Sequence, residues 1–386
     1  MALHFAPEEL AGRIARARRA VADAGVDALL LFAQESLYYL TGYDTNGYVF
    51  FQCAVLTADE TPITLLTRRP DLLSARLTST IEDVRIWYDA PGANPARDLK
   101  AILDEKGLRG ARLGIELDSY GLTAANYELV RRALEGWCRL SDASLTIRRL
   151  RLVKSPAELA YVRRAAEFAD DALAAMIEAA RPGAFEGDIA AAGQSAVYRG
   201  GGDVPPSGPV LASGERALLV RNSTGATHLG ADDQLTLEFC GSFRRYCACL
   251  MRTLGIGRDD PRRRRMFDVT REALLAMTEA ARPGRPLGEV DDAHRRVYDA
   301  AGFGRARMAA CGYSLGATYR PSWMDVPPML CSGNETPAEP GMVLFMHAIL
   351  ADADAMLAMS LGHTVVVTDA GAEVLSRHPL DHVVRT

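Results

Sequence analysis

Apolar positions along the chain change period several times, and each change predicts an element. Residues 7–24 are an Ala- and Arg-rich helical pattern that ends at Gly25. Residues 26–32 form a short apolar run and predict a strand, and residues 37–40 open a further element that stops at Gly42. Strands are expected over 48–56 and 63–67, separated by a polar turn, and again over 83–87 and 112–116, with a helix over 95–106 between the last two. Such alternation predicts a complete α/β domain over residues 1–152. A second domain, 153–386, then begins with a helix signal. Ser155 can cap that helix, Pro156 sits at its first turn, and Glu158 lies three residues after the cap. The helix should run to about Ala180 and stop at Arg181-Pro182-Gly183.

The stop recurs. Glu178-Ala-Ala-Arg-Pro-Gly183, followed by Gly187-Asp-Ile189, returns 101 residues later as Glu279-Ala-Ala-Arg-Pro-Gly284, followed by Gly288-Glu-Val290. Both copies close an Ala-rich helix and precede another helix, and strand-rich tails follow at 210–254 and 312–367. The pattern predicts an internal duplication whose two halves enclose a cleft suited to a small molecule. Within the first tail, residues 232–254 read as a β-hairpin turning near Gly241-Ser242. Glu238 stands inside its apolar run. A carboxylate there is paired, neutralised or functional, and Arg252 and Arg221 are the available structural partners.

Composition narrows the function classes. A chain of 386 residues that is 48% hydrophobic and 24% charged, with a net charge of −5, makes no electrostatic case for nucleic acid or an anionic membrane. No apolar stretch reaches membrane-spanning length, and residues 1–10 lack a signal peptide's basic and apolar segments, so a cytoplasmic location is expected. The seven cysteines lack disulfide-scaffold spacing and suit a reducing compartment. Cys247-x-Cys249 has no second Cys or His pair to complete a zinc ribbon, and strand alternation puts both on one face.

Six stretches together resemble the superfamily of creatinase, prolidase and methionine aminopeptidase: Arg151-Leu-Val-Lys-Ser-Pro-Ala-Glu158, the two Arg-Pro-Gly stops, Met251-Arg-Thr253, Gly312-Tyr-Ser-Leu-Gly316 and Glu339-Pro-Gly-Met-Val343. The resemblance covers nearly the whole chain. It implies a creatinase-like N-terminal α/β domain and a C-terminal catalytic domain of the duplicated pita-bread fold. It also implies a homodimer in which a loop of the N-terminal domain, Tyr48 included, reaches the partner's cleft. Metallopeptidases of this superfamily hold two metal ions on two Asp, one His and two Glu. Here those positions fall on Glu238, Cys249, Tyr313, His347 and Gly362, which do not rebuild a dinuclear site. No cofactor is therefore expected, although Cys249, His347 and Glu238 are chemically acceptable ligands for a single zinc. The His that assists proline-peptide hydrolysis aligns with Arg221. The chain is more similar to a metal-free branch, the ectoine hydrolases, through 35–44, 48–53, 81–87, 233–238, 309–316, 321–325 and 360–362; it departs from that branch over 204–222, at Cys247 and at His363.

That likeness implies opening of a cyclic amidine that carries a carboxylate. Glu238 can pair with the amidinium and act as nucleophile or as base for water. His347 suits a proton shuttle, and Tyr313 can donate to the developing intermediate. Arg221 and Arg252 are candidates for the substrate carboxylate, His228 for a polar wall, and Trp323 for a stacking face. Three rival readings stay open: a creatinase-like hydrolase of another small amidine or amide, a metal-dependent Xaa-Pro aminopeptidase, and a non-catalytic protein that only binds a solute.

Overall fold

In the computed structural model, which describes residues 3–386, the chain divides into two units between Arg151 and Leu152. The first contains helices α1 (Pro7–Asp23), α2 (Gln34–Thr41), α3 (Leu72–Thr78), α4 (Pro95–Glu105), α5 (Ala124–Leu134) and all but the last residue of α6 (Leu145–Leu152). Its strands are β1 (Ala28–Leu31), β2 (Cys53–Thr57), β3 (Thr64–Arg68), β4 (Asp83–Trp87), β5 (Arg112–Ile115) and β6 (Arg139–Asp142), ordered β4-β3-β2-β1-β5-β6 in one sheet. All four residues of β1 are buried because helices cover both faces. Ala28 and Leu30 pack in a cluster with Leu99 and Leu103 of α4, whereas Leu29 and Leu31 pack with Ala17 and Val21 of α1.

One expectation for this unit is met and one is corrected. Residues 37–40 belong to a helix, α2, which Gly42 ends at φ 82°. The expected strand over 48–56 begins only at Cys53, because Thr45 Oγ1 accepts the Gly47 N–H at 2.9 Å and the chain folds into a short 3-10 turn, Gly47–Val49. Val49 and Phe50 consequently point to solvent, and the Arg68 guanidinium sits 3.8 Å over the Phe50 ring.

The second unit contains α7 (Pro156–Ala179), α8 (Glu186–Arg199), β7 (Val210–Ser213), β8 (Asp233–Phe243), β9 (Tyr246–Ile256), α9 (Pro261–Ala280) and α10 (Gly288–Ala300). Strands β10 (Gly312–Ser314), β11 (Val343–Asp352), β12 (Leu357–Thr368), β13 (Gly371–Val374) and β14 (Val384–Arg385) complete it. One sheet runs β10-β11-β12-β9-β8-β7, with β13 beside β12 and β14 beside β9. The duplication is visible in detail. Gly183 and Gly284 adopt φ 77° and 78°, and each donates its N–H to a carbonyl of its own half, Leu229 and Ala338. Two residues further on, Phe185 bridges His228 and Pro286 bridges Pro337.

Helix α7 starts where its cap predicts. Ser155 and Glu158 form a reciprocal capping box, with Glu158 N–H to Ser155 Oγ at 3.3 Å and Ser155 N–H to Glu158 Oε2 at 2.9 Å. Ser155→Ala is expected to lower stability by about 1 kcal/mol, read as a lower urea midpoint with an unchanged slope.

The hairpin turn departs from expectation. Strand β8 continues through Gly241 and Ser242, and the turn falls at Arg244 and Arg245, with φ 49° and 70°. Gly241 serves packing instead: a Cβ there would lie 2.1 Å from the Ala165 carbonyl oxygen of α7.

Candidate active site

Alternation along the strands of the second unit separates two faces. Leu235, Leu237 and Phe239 of β8 pack beneath α7 and α8, and Leu344, Met346 and Ala348 of β11 pack beneath α9 and α10. The intervening residues, Glu238 and Cys240 on β8 and Phe345 and His347 on β11, therefore face away from the helices. Register extends this face to Met251 and Cys249, opposite Glu238 and Cys240, and to Gly362, opposite both His347 and Met251. Tyr313 of β10 stands opposite Phe345.

Glu238 keeps part of its surface open while its carboxyl group is densely surrounded by protein. Burial raises its pKa to about 7, against the opposing pull of the Arg221 charge and a hydrogen bond from the Tyr313 hydroxyl. Tyr313 in turn accepts the Trp323 indole N–H at 2.8 Å, so this ring spends its polar edge orienting the hydroxyl beside Glu238. The His347 ring lies 5.6 Å from that of Tyr313. Burial, with the neighbouring His294, lowers the His347 pKa to about 4, so its imidazole is neutral at physiological pH. Its buried Nδ1 has no hydrogen-bond partner. A narrow cleft with about 20 Å³ of free space reaches Glu238; Val220, Thr236, Met251, Ile349 and Ser360 are among its other lining residues.

The structure thus brings Glu238, Tyr313, Trp323, His347 and the Arg221 charge together, and it separates the other candidates. Arg252 pairs with Leu237, the neighbour of Glu238, and so projects from the helical face. There it donates to the Met251 and Gly362 carbonyls at 2.9 and 2.7 Å, with its pKa lowered to about 10 by burial and partly restored by Asp170. It is a core residue and neither a cleft cation nor the partner of Glu238. His228 is exposed and packs 5.1 Å from the Phe185 ring at the end of the helix pair. Tyr48 is buried within the N-terminal unit. Cys240 was missed in the sequence, although its place two residues beyond Glu238 on one strand puts it on the same face. Its thiol meets those of Cys247 and Cys249; burial raises the pKa of Cys240 and that of Cys249, the latter to about 11, while contact with Cys240, then burial, raises that of Cys247.

The residues at the five metal positions do not fit a dinuclear centre. Glu238 is the single carboxylate among them, so no carboxylate pair is present to bridge two ions. At Gly362 a side chain would meet the Met346 carbonyl at 2.9 Å and the Phe345 ring at 3.0 Å, so no carboxylate can stand there. Nor do Cys249, His347 and Glu238 converge as a mononuclear site: among the described residues, the donor set close enough to hold an ion is elsewhere, at Asp291, His294 and Cys311. Among the described residues no helix is long and apolar enough to cross a membrane.

Comparison with known proteins supports the architecture. The chain is 28% identical over 400 residues to the ectoine hydrolase of Halomonas elongata, with 98% of each chain covered. It is 25% identical over 326 residues to an Xaa-Pro dipeptidase of Pyrococcus horikoshii, with 83% of this chain and 84% of that protein covered. Among solved structures, the Xaa-Pro dipeptidase of Bacillus anthracis superposes with a TM-score of 0.84 at 21% identity, over 97% of this chain and 99% of that one. Residues 13–153 match the creatinase/prolidase N-terminal domain, and residues 160–369 match metallopeptidase family M24. With its creatinase-like N-terminal domain and duplicated pita-bread domain, the chain belongs to this M24 family of hydrolases.

Proposed function

We propose that this protein hydrolyses a small cyclic amidine, ectoine or hydroxyectoine, without a metal ion in its cleft. The observation that carries the reading is Glu238 itself: one carboxylate with a pKa of about 7, at a cleft whose other metal-ligand positions hold Cys249, Tyr313, His347 and Gly362. Full-length similarity to the Halomonas enzyme supports the substrate class.

In this mechanism the amidinium lies against Glu238 and favours its ionised form. Glu238 takes a proton from water as the new C–O bond forms at the amidinium carbon, leaving a neutral tetrahedral adduct. It then returns the proton to one ring nitrogen, and that C–N bond breaks. His347, neutral beforehand, passes the hydroxyl proton to the departing amine, yielding an amide and an ammonium group. Tyr313 holds the carboxylate, and Arg221 is the guanidinium available to the substrate carboxylate.

The test is proton NMR of chelator-treated protein with ectoine. Formation of an N-acetyl-diaminobutyrate product that is lost in Glu238→Gln supports the reading. Turnover only after zinc or manganese is restored, accompanied by Xaa-Pro peptide cleavage, would replace it with a metallopeptidase. Single turnover in oxygen-18 water distinguishes the two forms of attack, because only direct attack by Glu238 leaves label in its carboxyl group.

Tyr313→Phe supplies a further expectation. Loss of the hydroxyl removes a hydrogen bond that lowers the Glu238 pKa. The acid limb of kcat/KM should therefore move to higher pH, with kcat reduced by about tenfold. A limb that stays in place would show that Tyr313 does not hold the carboxylate.

A further inference from the structure

Three side chains of metal-binding type meet under the helices of the second half, apart from the face that carries Glu238. Asp291 and His294 stand three residues apart on α10, so one helical face presents both. Cys311 enters immediately before β10 and packs in the core cluster beneath α9 and α10. The carboxylate, imidazole and thiol donors lie within 4.8 Å of one another, and all three residues are buried. Asp291 is already oriented: its Oδ1 is 3.2 Å from His294 Nδ1, and its Oδ2 accepts the Ser332 N–H at 3.0 Å. The other nitrogen of His294, Nε2, is buried without any hydrogen-bond partner. A buried imidazole nitrogen left unpaired costs free energy that a bound cation would recover.

We propose that Asp291, His294 and Cys311 form a mononuclear zinc site separate from the Glu238 cleft. Carboxylate, imidazole and thiolate are all zinc ligands. One carboxylate and one thiolate neutralise a divalent ion, which offsets the cost of burying it. Zinc–ligand bonds of 2.0–2.3 Å place donors roughly 3.3–3.8 Å apart, so the three side chains must draw together by about an ångström. Their spread over α10 and the chain before β10 leaves side-chain rotations to do this. The half-buried Cys331 is adjacent to the Ser332 that anchors Asp291, but its thiol is outside the set of donors within 4.8 Å, so water would fill the fourth position. An ion here would tie α10 to the loop at 331–332 and to edge strand β10. Cys311 lies two residues before Tyr313, so the site would also fix the strand that carries the hydroxyl beside Glu238.

The test uses full-length protein stripped with a chelator and titrated with cobalt(II). About one equivalent should bind, giving a near-ultraviolet thiolate-to-cobalt charge-transfer band and raising the melting midpoint. Cys311→Ser should abolish the band, and His294→Ala should weaken binding at least tenfold. Glu238→Gln and Cys249→Ser should retain the band, which separates this site from any metal in the cleft. Protein purified from zinc-supplemented cells should carry about one zinc per chain. Absence of a thiolate band in the wild-type protein at saturating cobalt overturns the proposal, whether or not the variants fold. A band removed by Cys249→Ser but kept in Cys311→Ser likewise overturns it, placing the ion at the cleft.

Discussion

Glu238→Gln is expected to lower kcat by about a thousandfold or more while making the protein more stable at pH 8. Both effects come from one cause. Burial raises the Glu238 pKa from 4.5 to about 7, so the folded protein prefers the protonated form. For a group raised in this way, the stability contribution is complete below the unfolded pKa and is lost as pH rises through the folded one. Between pH 4.5 and about 7 the wild-type protein therefore loses roughly 2–3 kcal/mol at this residue, whereas glutamine, which cannot ionise, loses nothing. Urea denaturation at pH 5 and pH 8 should show the variant's advantage appearing only at the higher pH. Catalysis runs the other way. A general base must be ionised, so kcat/KM should climb with pH through a midpoint near 7, and this limb should vanish with the carboxylate. A variant that gains stability but keeps its activity would remove Glu238 from the mechanism and favour a different catalytic group. One that still binds ectoine tightly, with neither protein turning it over, would favour a solute-binding role.

Much of this site was legible in the sequence because β-strands alternate. Glu238 interrupts an apolar run, and a period of two sets it apart from Leu237 and Phe239, which pack on the helices. The duplication was readable because a helix stop with a left-handed glycine has a strong local signature, and Gly183 and Gly284 adopt the same conformation. Arg252 shows the limit. An arginine near a carboxylate in sequence invites an ion pair, but Arg252 is one position from Met251, which stands opposite Glu238, and one position sends it to the other face. Register across the hairpin, rather than proximity along the chain, decides such pairings. The grouping of Asp291 and His294 with Cys311 was hidden for a related reason: it depends on how α10 lies against the edge strand, and no local periodicity records that packing.

Gly241→Ala is expected to cost about 3 kcal/mol or more, among the largest losses a single methyl group can cause in this protein. In sequence Gly241-Ser242 reads as a turn, yet the chain passes through Gly241 in an extended strand. The reason for glycine is the helix above it. A Cβ would stand 2.1 Å from the Ala165 carbonyl oxygen and 2.6 Å from the Ala169 nitrogen, both backbone atoms of α7 that cannot rotate aside. Helix and strand must then separate, which loosens the contacts of Phe168, Leu173, Leu237 and Phe239 in the same core cluster. Thermal and urea unfolding of the variant should show a marked fall in midpoint, and a midpoint matching the wild type would mean that α7 does not lie so close to β8. Because α7 supports the strand that carries Glu238, activity should fall along with stability. Three residues away, Glu238→Gln should lose activity while gaining stability. Opposite signs at neighbouring positions on one strand distinguish a residue that holds the sheet to its helices from one that the fold maintains at a cost for chemistry.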